Sequence, residues 1–187
     1  MTTRPFVGEP LALDLINTRL GVPGGAEIDH LATPADARAW LTAQPDRLDP
    51  PRDEVRLAAV RALRAHVEQA VEHVRRGTAP PQPALRALTA AMRRAPTHRE
   101  VGWDGTAVTA HVRRTGDATL DLLAVLAEAA TDLLTDPAVG HIRTCEGPGC
   151  RLLILATNPR RRWCSPALCG NRVRVARHHR RHRPEPH

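Results

Sequence analysis

The amino-acid sequence predicts a mainly α protein in two parts: a helical N-terminal domain (residues 1–140) with one β-hairpin, and a small four-cysteine module (residues 141–187). Apolar residues recur at the three- and four-residue spacing of amphipathic helices through most of the first part. One segment there alternates as a strand pair does. All four cysteines fall within 25 residues of the second part, and none precedes them. These three observations together predict the two-part fold.

The first part is expected to contain five helices. They cover residues 10–19, 34–43, 53–76, 83–95 and 118–135. Thr33, which a proline follows, starts a sequence that resembles a capping box, and Asp117 is likewise a residue type favoured before a helix. Gly77 is placed to end the third helix. The prolines between residues 45 and 51 and between residues 78 and 83 mark breaks between helices.

One segment of the first part, residues 98–114, predicts paired strands instead of a helix. The dipeptide Asp104-Gly105 favours a tight hairpin turn, and small or β-branched apolar residues alternate from Val108 to Val112. With only four aromatic residues, the core must be built from leucine, valine and alanine. About 140 residues are enough for such a core. The sequence therefore predicts a helical bundle that carries one hairpin.

Charge is unevenly distributed between the two parts. Residues 1–140 carry 16 arginines against 18 aspartates and glutamates, a net charge of −2, whereas residues 141–187 carry 11 arginines against two glutamates, a net charge of +9. The basic character therefore belongs to the cysteine-rich module. Such asymmetry favours a polyanionic partner.

The chain contains no sequence pattern typical of export or of a membrane span. Residues 1–18 lack a charged segment followed by a clean apolar stretch, and no window approaches 18 uninterrupted apolar residues. We therefore expect a soluble, cytoplasmic protein with no membrane partner. In that reducing compartment, paired cysteines favour metal binding, and disulfides or free thiols are the alternative.

The cysteines Cys145, Cys150, Cys164 and Cys169 follow the pattern C-x4-C-x13-C-x4-C. Each close pair can supply two thiolates from one tight turn, and the spacer can bring the two turns together around a tetrahedral ion. The expected cofactor is one structural Zn²⁺. Because the module has almost no apolar core, metal binding would supply most of its folding free energy, roughly 10–16 kcal/mol in apparent terms.

The segments around the cysteines predict a treble-clef-like zinc finger. Residues 152–156 are expected to form a strand, residues 157–159 a turn and residues 160–163 a return strand. A helix is expected over residues 171–182, directly after the second cysteine pair. A knuckle, a hairpin and a helix that follows the last two ligands describe that fold.

Two stretches of the sequence resemble a known bacterial family. The run from Arg162 to Arg172 (RWCSPALCGNR) resembles the CGNR zinc finger, and residues 11–18 (LALDLINT) are similar to the start of the ABATE domain that precedes it in that family. The resemblance spans most of the chain, and its zinc-finger part is the more specific. It implies a stress-induced transcription regulator that binds zinc and DNA.

The arginines of the module are the candidate nucleic-acid contacts. They are Arg160, Arg161, Arg162, Arg172, Arg174, Arg177, Arg180 and Arg181. The alternative is a solvated face that offsets the −2 charge of a four-thiolate zinc centre. The module carries eleven arginines, far more than that charge requires. We therefore expect the helix after Cys169 to meet a groove or phosphates, with the arginine triplet on the backbone.

Asp14 and Asn17 are polar residues three apart within an otherwise apolar helix. Buried polar groups need partners, so these side chains are expected either to fix the helix to a neighbour or to line a small-molecule pocket. In the second case the helical domain would sense an effector and the zinc finger would be its output.

The function most consistent with the sequence is a DNA-binding transcription regulator. RNA binding by the same charge and a zinc-stabilised protein-interaction module are the alternatives. Catalysis is not expected, because a catalytic zinc keeps an open coordination position and four thiolates leave none. The first part also contains no Gly-rich phosphate loop, HExxH helix or Gly-x-Ser-x-Gly elbow.

Overall fold

Six helices and three short strand pairs make up the described part of the chain, in which about half of the residues are helical. The computed structural model describes residues 7–21, 27–44, 46–48 and 53–181, and side chains only as far as residue 176. The helices are α1 (Leu11–Ile16), α2 (Pro34–Thr42), α3 (Leu57–Arg75), α4 (Gln82–Arg94), α5 (Ala118–Thr135) and α6 (Asn171–Arg181). The fold is therefore mixed, with helices and small strand pairs, and the expected mainly α class is not confirmed.

The strand pairs are all antiparallel and two-stranded. They are β1 (Arg19–Leu20) with β2 (Ile28–Asp29), β3 (Thr97–Trp103) with β4 (Val108–Arg114), and β5 (Ile142–Thr144) with β6 (Leu153–Leu155). The pair β3–β4 is the hairpin that the sequence predicts. The other two pairings were not predicted, although β6 lies within the strand that was expected over residues 152–156.

The core is built around α1, in which all six residues are buried. Helices α3 and α5 pack against it, and α4 packs against both of them. The buried apolar side chains are mostly leucine, valine and alanine, as expected, together with the fully buried Trp40 of α2. Burial of apolar area is the main stabilising contribution in folding, so the packing of α3 and α5 holds this wholly buried short helix in place.

The helix ends follow the predicted signals in most places. The hydroxyl of Thr33 accepts a hydrogen bond from the Asp36 amide at 3.2 Å, and the Asp117 carboxylate accepts one from the Leu120 amide at 2.9 Å. Gly77 follows α3 with a φ of +70°. Two bounds differ. Helix α1 ends at Ile16 because the chain then enters β1, and α3 begins at Leu57 instead of residue 53.

The hairpin β3–β4 is confirmed at its predicted turn. The Asp104 carboxylate accepts hydrogen bonds from the amides of Thr106 and Ala107 at 2.8 and 2.9 Å, and Gly105 has a φ of +103°. These contacts close the chain reversal locally. Almost every residue of both strands is exposed. The hairpin therefore projects from the helical bundle.

The predicted return strand over residues 160–163 is wrong. Strand β6 pairs with β5, which precedes the first cysteine, so the first cysteine pair lies in the turn of a β5–β6 hairpin. Residues 160–163 instead form a turn and an extended loop, in which the Arg161 amide donates to the Asn158 carbonyl at 2.9 Å. Of the expected treble-clef parts, the knuckle and the helix are present.

The strands β5 and β6 also join the two parts of the chain. A 3₁₀ turn over Pro137–His141 follows α5 and leads directly into β5. Ile142 and Leu153 are buried in the same apolar cluster as α1, α3 and α5. The cysteine-rich module therefore packs on the helical core through side chains as well as through its chain connection.

No helix among the described residues combines the length and the apolar character needed to cross a membrane.

Candidate metal centre and nucleic-acid interface

The four cysteines converge on one point. Their sulfur atoms all lie within 4.8 Å of one another, and three of the four residues are buried. Four thiolates at about 2.3 Å from a tetrahedral zinc ion lie roughly 3.8 Å apart, so the donor set and its spacing fit that ion. The spacing does not suit the larger oxygen cages of Ca²⁺ or Mg²⁺. The cofactor of this site is one structural zinc ion held by the four cysteines.

Two knuckles bring the cysteine pairs together. In the first, the Cys145 amide donates to the Leu152 carbonyl at 2.8 Å, which extends the β5–β6 ladder, and the Cys150 amide donates to the Gly147 carbonyl at 3.0 Å. In the second, the Ser165 hydroxyl accepts from the amides of two following residues, and a π-helical turn over Pro166–Gly170 runs straight into α6. A bound ion therefore ties the β5–β6 hairpin to α6.

The thiols do not all ionise readily in the absence of a cation. A hydrogen bond from Cys164 lowers the pKa of Cys150 to about 5. The hydrogen bond to Cys150 raises the pKa of Cys164, and burial raises the pKa of Cys169 to about 11. Four negative charges cannot gather at one place unaided. A divalent ion offsets that repulsion, so zinc binding displaces the remaining protons.

A glycine allows the first knuckle to approach the second. A Cβ atom at Gly147 would lie 2.7 Å from the sulfur of Cys169 and 2.8 Å from its Cβ. Side chains do not approach so closely, so this position accepts only glycine without a shift of a metal ligand. The Gly147 amide also donates to the sulfur of Cys145 at 3.4 Å. The role of Gly147 was not predicted from the sequence, although a Gly-Pro-Gly run inside a metal knuckle is a usable signal.

Arg161 is turned inward and is not part of the exposed arginine surface. Its guanidinium pairs with the buried carboxylate of Glu9 and donates to the carbonyls of Leu155 and Cys164 at 3.2 and 3.3 Å. Glu9 also accepts from the Leu155 amide at 2.9 Å. Arg161 therefore holds the second knuckle against the helical part of the chain, a role that was not predicted from the sequence.

Four other candidate arginines lie on the surface of the module. Arg160 is exposed, and Arg162 pairs with Glu146 and lies over the Trp163 ring at 5.8 Å. Arg172 and Arg174, at the start of α6, make long contacts of 3.4 Å to the carbonyls of Pro148 and Pro166. The side chains of Arg177, Arg180 and Arg181 lie outside the described residues, and their backbone continues α6.

The buried side chain of Asp14 holds the residues that precede α1 by hydrogen bonds. Its carboxylate accepts from the amides of Gly8 and Glu9, both at 3.0 Å, and from Arg47 at 2.9 Å. Burial raises the pKa of Asp14, and those donors partly offset the effect. Asp14 is not among the residues that line the described cleft near α1.

Asn17 joins α1 to the zinc module. Its side-chain amide donates to the Leu153 carbonyl at 2.8 Å and accepts from the Leu153 amide at 2.8 Å, so it pairs with the open edge of β6 as another strand would. Asn17 also lines a cleft of about 240 Å³ between α1, α3 and the module. Of the two polar residues, which were expected either to fix the helix to a neighbour or to line a pocket, only Asn17 lines this cleft.

Comparison with known families identifies both parts of the chain. Residues 9–137 match the ABATE family model, described as "Putative stress-induced transcription regulator". The chain belongs to the ABATE family. Residues 141–182 match the CGNR zinc finger. Neither is an enzyme family, and a search of curated proteins finds no match. In this ABATE protein, the CGNR match covers all four cysteines and the whole of α6.

The first prediction tests the glycine of the CGNR knuckle. We expect Gly147→Ala to lower zinc affinity at least about 10-fold, because the added methyl group displaces the Cys169 sulfur. A competition titration against a chromophoric chelator measures the affinity. Gly140→Ala is the matched control, because a Cβ there would meet nothing within 4 Å. Equal zinc affinity in the two variants would contradict the assigned close approach.

The second prediction tests the junction between the ABATE part and the zinc finger. Asn17→Ala would leave a buried N–H and a buried C=O of Leu153 without partners, each worth about 1–3 kcal/mol. We expect the free energy of unfolding, measured in urea by circular dichroism, to fall by about 2–4 kcal/mol. The exposed Asn171 is the control, since its replacement by alanine should change stability by less than about 0.5 kcal/mol. Equal losses of unfolding free energy in the two variants would show that Asn17 does not stabilise the contact between α1 and β6.

Proposed function

We propose that this protein is a DNA-binding transcription regulator, with residues 1–140 as its regulatory domain and residues 141–187 as its DNA reader. The observation that supports the proposal is a surface of exposed arginines on the zinc-binding module. It comprises Arg160, Arg162, Arg172 and Arg174, and the sequence of α6 contains three further arginines, at positions 177, 180 and 181. We regard the module as treble-clef-like on the basis of its first knuckle and its helix.

Charge supports a nucleic-acid partner for this surface. The net charge of +9 over residues 141–187 far exceeds the −2 of a zinc ion with four thiolates. Among the described side chains, only Arg151, Arg161 and Arg162 of the module pair with an acidic group. The other arginines keep their charge available for phosphates, which supply most of the affinity in such complexes.

The shape of the module favours duplex DNA over RNA. Helix α6 is 11 residues long and emerges from the second knuckle, and it makes no hydrogen bond to the helical core among the described residues. A helix of that kind fits the major groove. Modules that read single-stranded RNA stack bases on exposed aromatic rings. The one aromatic residue of this module, Trp163, packs against the cysteine cluster instead.

We further propose that the helical domain senses a small polar effector at the cleft beside Asn17. The cleft is lined by charges of both signs, which form the ion pairs Arg19–Glu68, Arg75–Glu72 and Arg151–Glu27, so a charged ligand would exchange partners with them. A zwitterion of amino-acid size suits about 240 Å³ of such a space. Arg151 and Leu153 of the module line the same cleft. A ligand bound there would therefore directly affect the contact between the zinc finger and α1.

Catalysis is not part of the proposed function. A zinc ion with four thiolates has no open position for a substrate or for an activated water. The metal therefore acts by folding the module, and the arginines act by charge and by hydrogen bonding. RNA binding through the same surface is the second candidate, and a purely protein-binding zinc finger is the third.

The third prediction tests the arginine surface by its salt dependence. If about six arginines contact phosphates, the logarithm of duplex affinity should fall with the logarithm of salt concentration with a slope of about −5. Arg160→Ala with Arg174→Ala, at two exposed arginines that pair with no acidic group, should flatten the slope by up to about 2 units. Fluorescence anisotropy of a labelled duplex at several salt concentrations measures it, and zinc content should stay unchanged.

The matched control for that prediction removes the same charge from the helical domain. Arg86 and Arg93 are exposed on α4, so their replacement by alanine should leave the slope unchanged. Equal flattening by both pairs of substitutions would exclude the module as the DNA reader. A structured RNA of equal length, used as competitor, separates the second candidate function, which predicts that RNA displaces the duplex at equal or lower concentration.

The fourth prediction tests the effector cleft. A thermal-shift screen of free amino acids and other small zwitterions should find a compound that raises the melting temperature by at least about 2 °C. Arg151→Ala should remove that shift, because Arg151 lines the cleft and is largely exposed. Arg143→Ala, on an exposed residue of β5 outside the cleft, should keep it. A shift that both variants retain would place the ligand elsewhere.

A further inference from the structure

The β3–β4 hairpin has one apolar face and one polar face. Its register pairs Val101 with Ala110 and Trp103 with Val108, and in an antiparallel pair directly opposed residues share a face. Val112, opposite Arg99, lies on the same side. The other face carries the polar pairs His98–Arg113, Glu100–His111 and Gly102–Thr109. The first set, Val101, Trp103, Val108, Ala110 and Val112, is called the apolar hairpin face below.

The apolar hairpin face is open to solvent in the described part of the chain. Val101, Trp103, Val108 and Val112 are 65–73% exposed, which makes them the most exposed large apolar residues described. The hairpin meets the helical bundle mainly at its base, where Arg114 donates to the Ala95 carbonyl at 2.9 Å and pairs with Glu128. A two-stranded sheet with nothing against its apolar face is marginally stable in water. A contiguous patch of this kind on a small protein marks an interaction site.

We propose that a second copy of this chain covers the apolar hairpin face, so that two hairpins stack face to face about a two-fold axis. The face suits its own copy because its only charged residues, Arg99 and Arg114, are at its base, and in a two-fold contact each patch meets itself. Two apolar sheet faces pack at about 10 Å, as in a sandwich core. The four residues supply a tryptophan and three valines for that core.

The exposed area is sufficient for such a dimer. At two thirds exposure, each valine offers about 100 Å² and the tryptophan about 150 Å², so one face buries roughly 450 Å² and two bury about 900 Å². Ala110 and the adjoining backbone bring the total to the ~1,000 Å² that a specific interface needs. A complete cover of the face by its own copy is therefore enough to hold two chains together.

Charge also favours a second copy over a charged partner. The only ion pairs described on the hairpin strands beyond its base, those of Glu100 with Arg113 and with His98, are on the opposite face. The helical part as a whole has a net charge of only −2, so two copies repel each other little through it. Two joined chains would present two zinc fingers, the arrangement that two-fold DNA sites require.

The fifth prediction is the oligomeric state of the full chain. Sedimentation equilibrium should give about 41 kDa, twice the 20.5 kDa of one chain, at micromolar concentration and without DNA. Val101→Thr, Val108→Thr and Val112→Thr together keep the shape and strand preference of the side chains but place six hydroxyls in the dimer interface. The dissociation constant should rise at least about 100-fold. Thr109→Val, the reverse exchange on the polar face, should leave it unchanged.

A second measurement uses the unaltered protein. If the hairpin faces stack, hydrogen exchange of the β3 and β4 amides should be slow at high concentration and should speed up on dilution below the dissociation constant. A chain that stays monomeric to about 100 μM would overturn the proposal. So would a dimer that the triple threonine variant leaves intact, or one in which Thr109→Val has the same effect. None of these results depends on DNA binding, so they leave the proposed function to its own test.

Discussion

The convergence of four thiolates on one zinc ion is the constraint on which the rest of the C-terminal module depends. Its own apolar cluster holds, besides three of the cysteines, only Leu152, Ile154 and Ala156 as buried residues, with a few partly buried neighbours. So small a core cannot offset the conformational entropy of some 40 ordered residues. The ion supplies the missing free energy and also sets the direction of α6, because the second knuckle runs directly into that helix.

The zinc finger is also held at a fixed place on the helical core. Asn17 pairs with the backbone of Leu153, and the buried Glu9 holds both Arg161 and the Leu155 amide. Each contact places a buried polar group where loss of its partner is costly. These contacts link α1 and the residue before it directly to β6 and to the second knuckle. Such a junction is what our proposed regulation of the zinc finger by the helical domain requires.

The sequence predicted the features that depend on nearby residues and missed those that depend on distant ones. The cysteine spacing identified the metal ligands, and Thr33 and the Asp104-Gly105 turn were predicted correctly because capping and turn formation are local. The partner of β6 and the Glu9–Arg161 pair were not predicted. The latter joins residues 152 positions apart, and no local pattern shows that one buried carboxylate will select one arginine among eleven in the module.

The most direct test of the account relates DNA affinity to zinc content in one titration. Zinc is removed from the full chain with a chelator under reducing conditions, and is then returned in known equivalents while duplex affinity is followed by fluorescence anisotropy. The account predicts that affinity falls at least about 100-fold without zinc and returns fully at one equivalent per chain, since only the folded module presents its arginines together. Full affinity in the zinc-free protein, or no recovery at one equivalent, would contradict it.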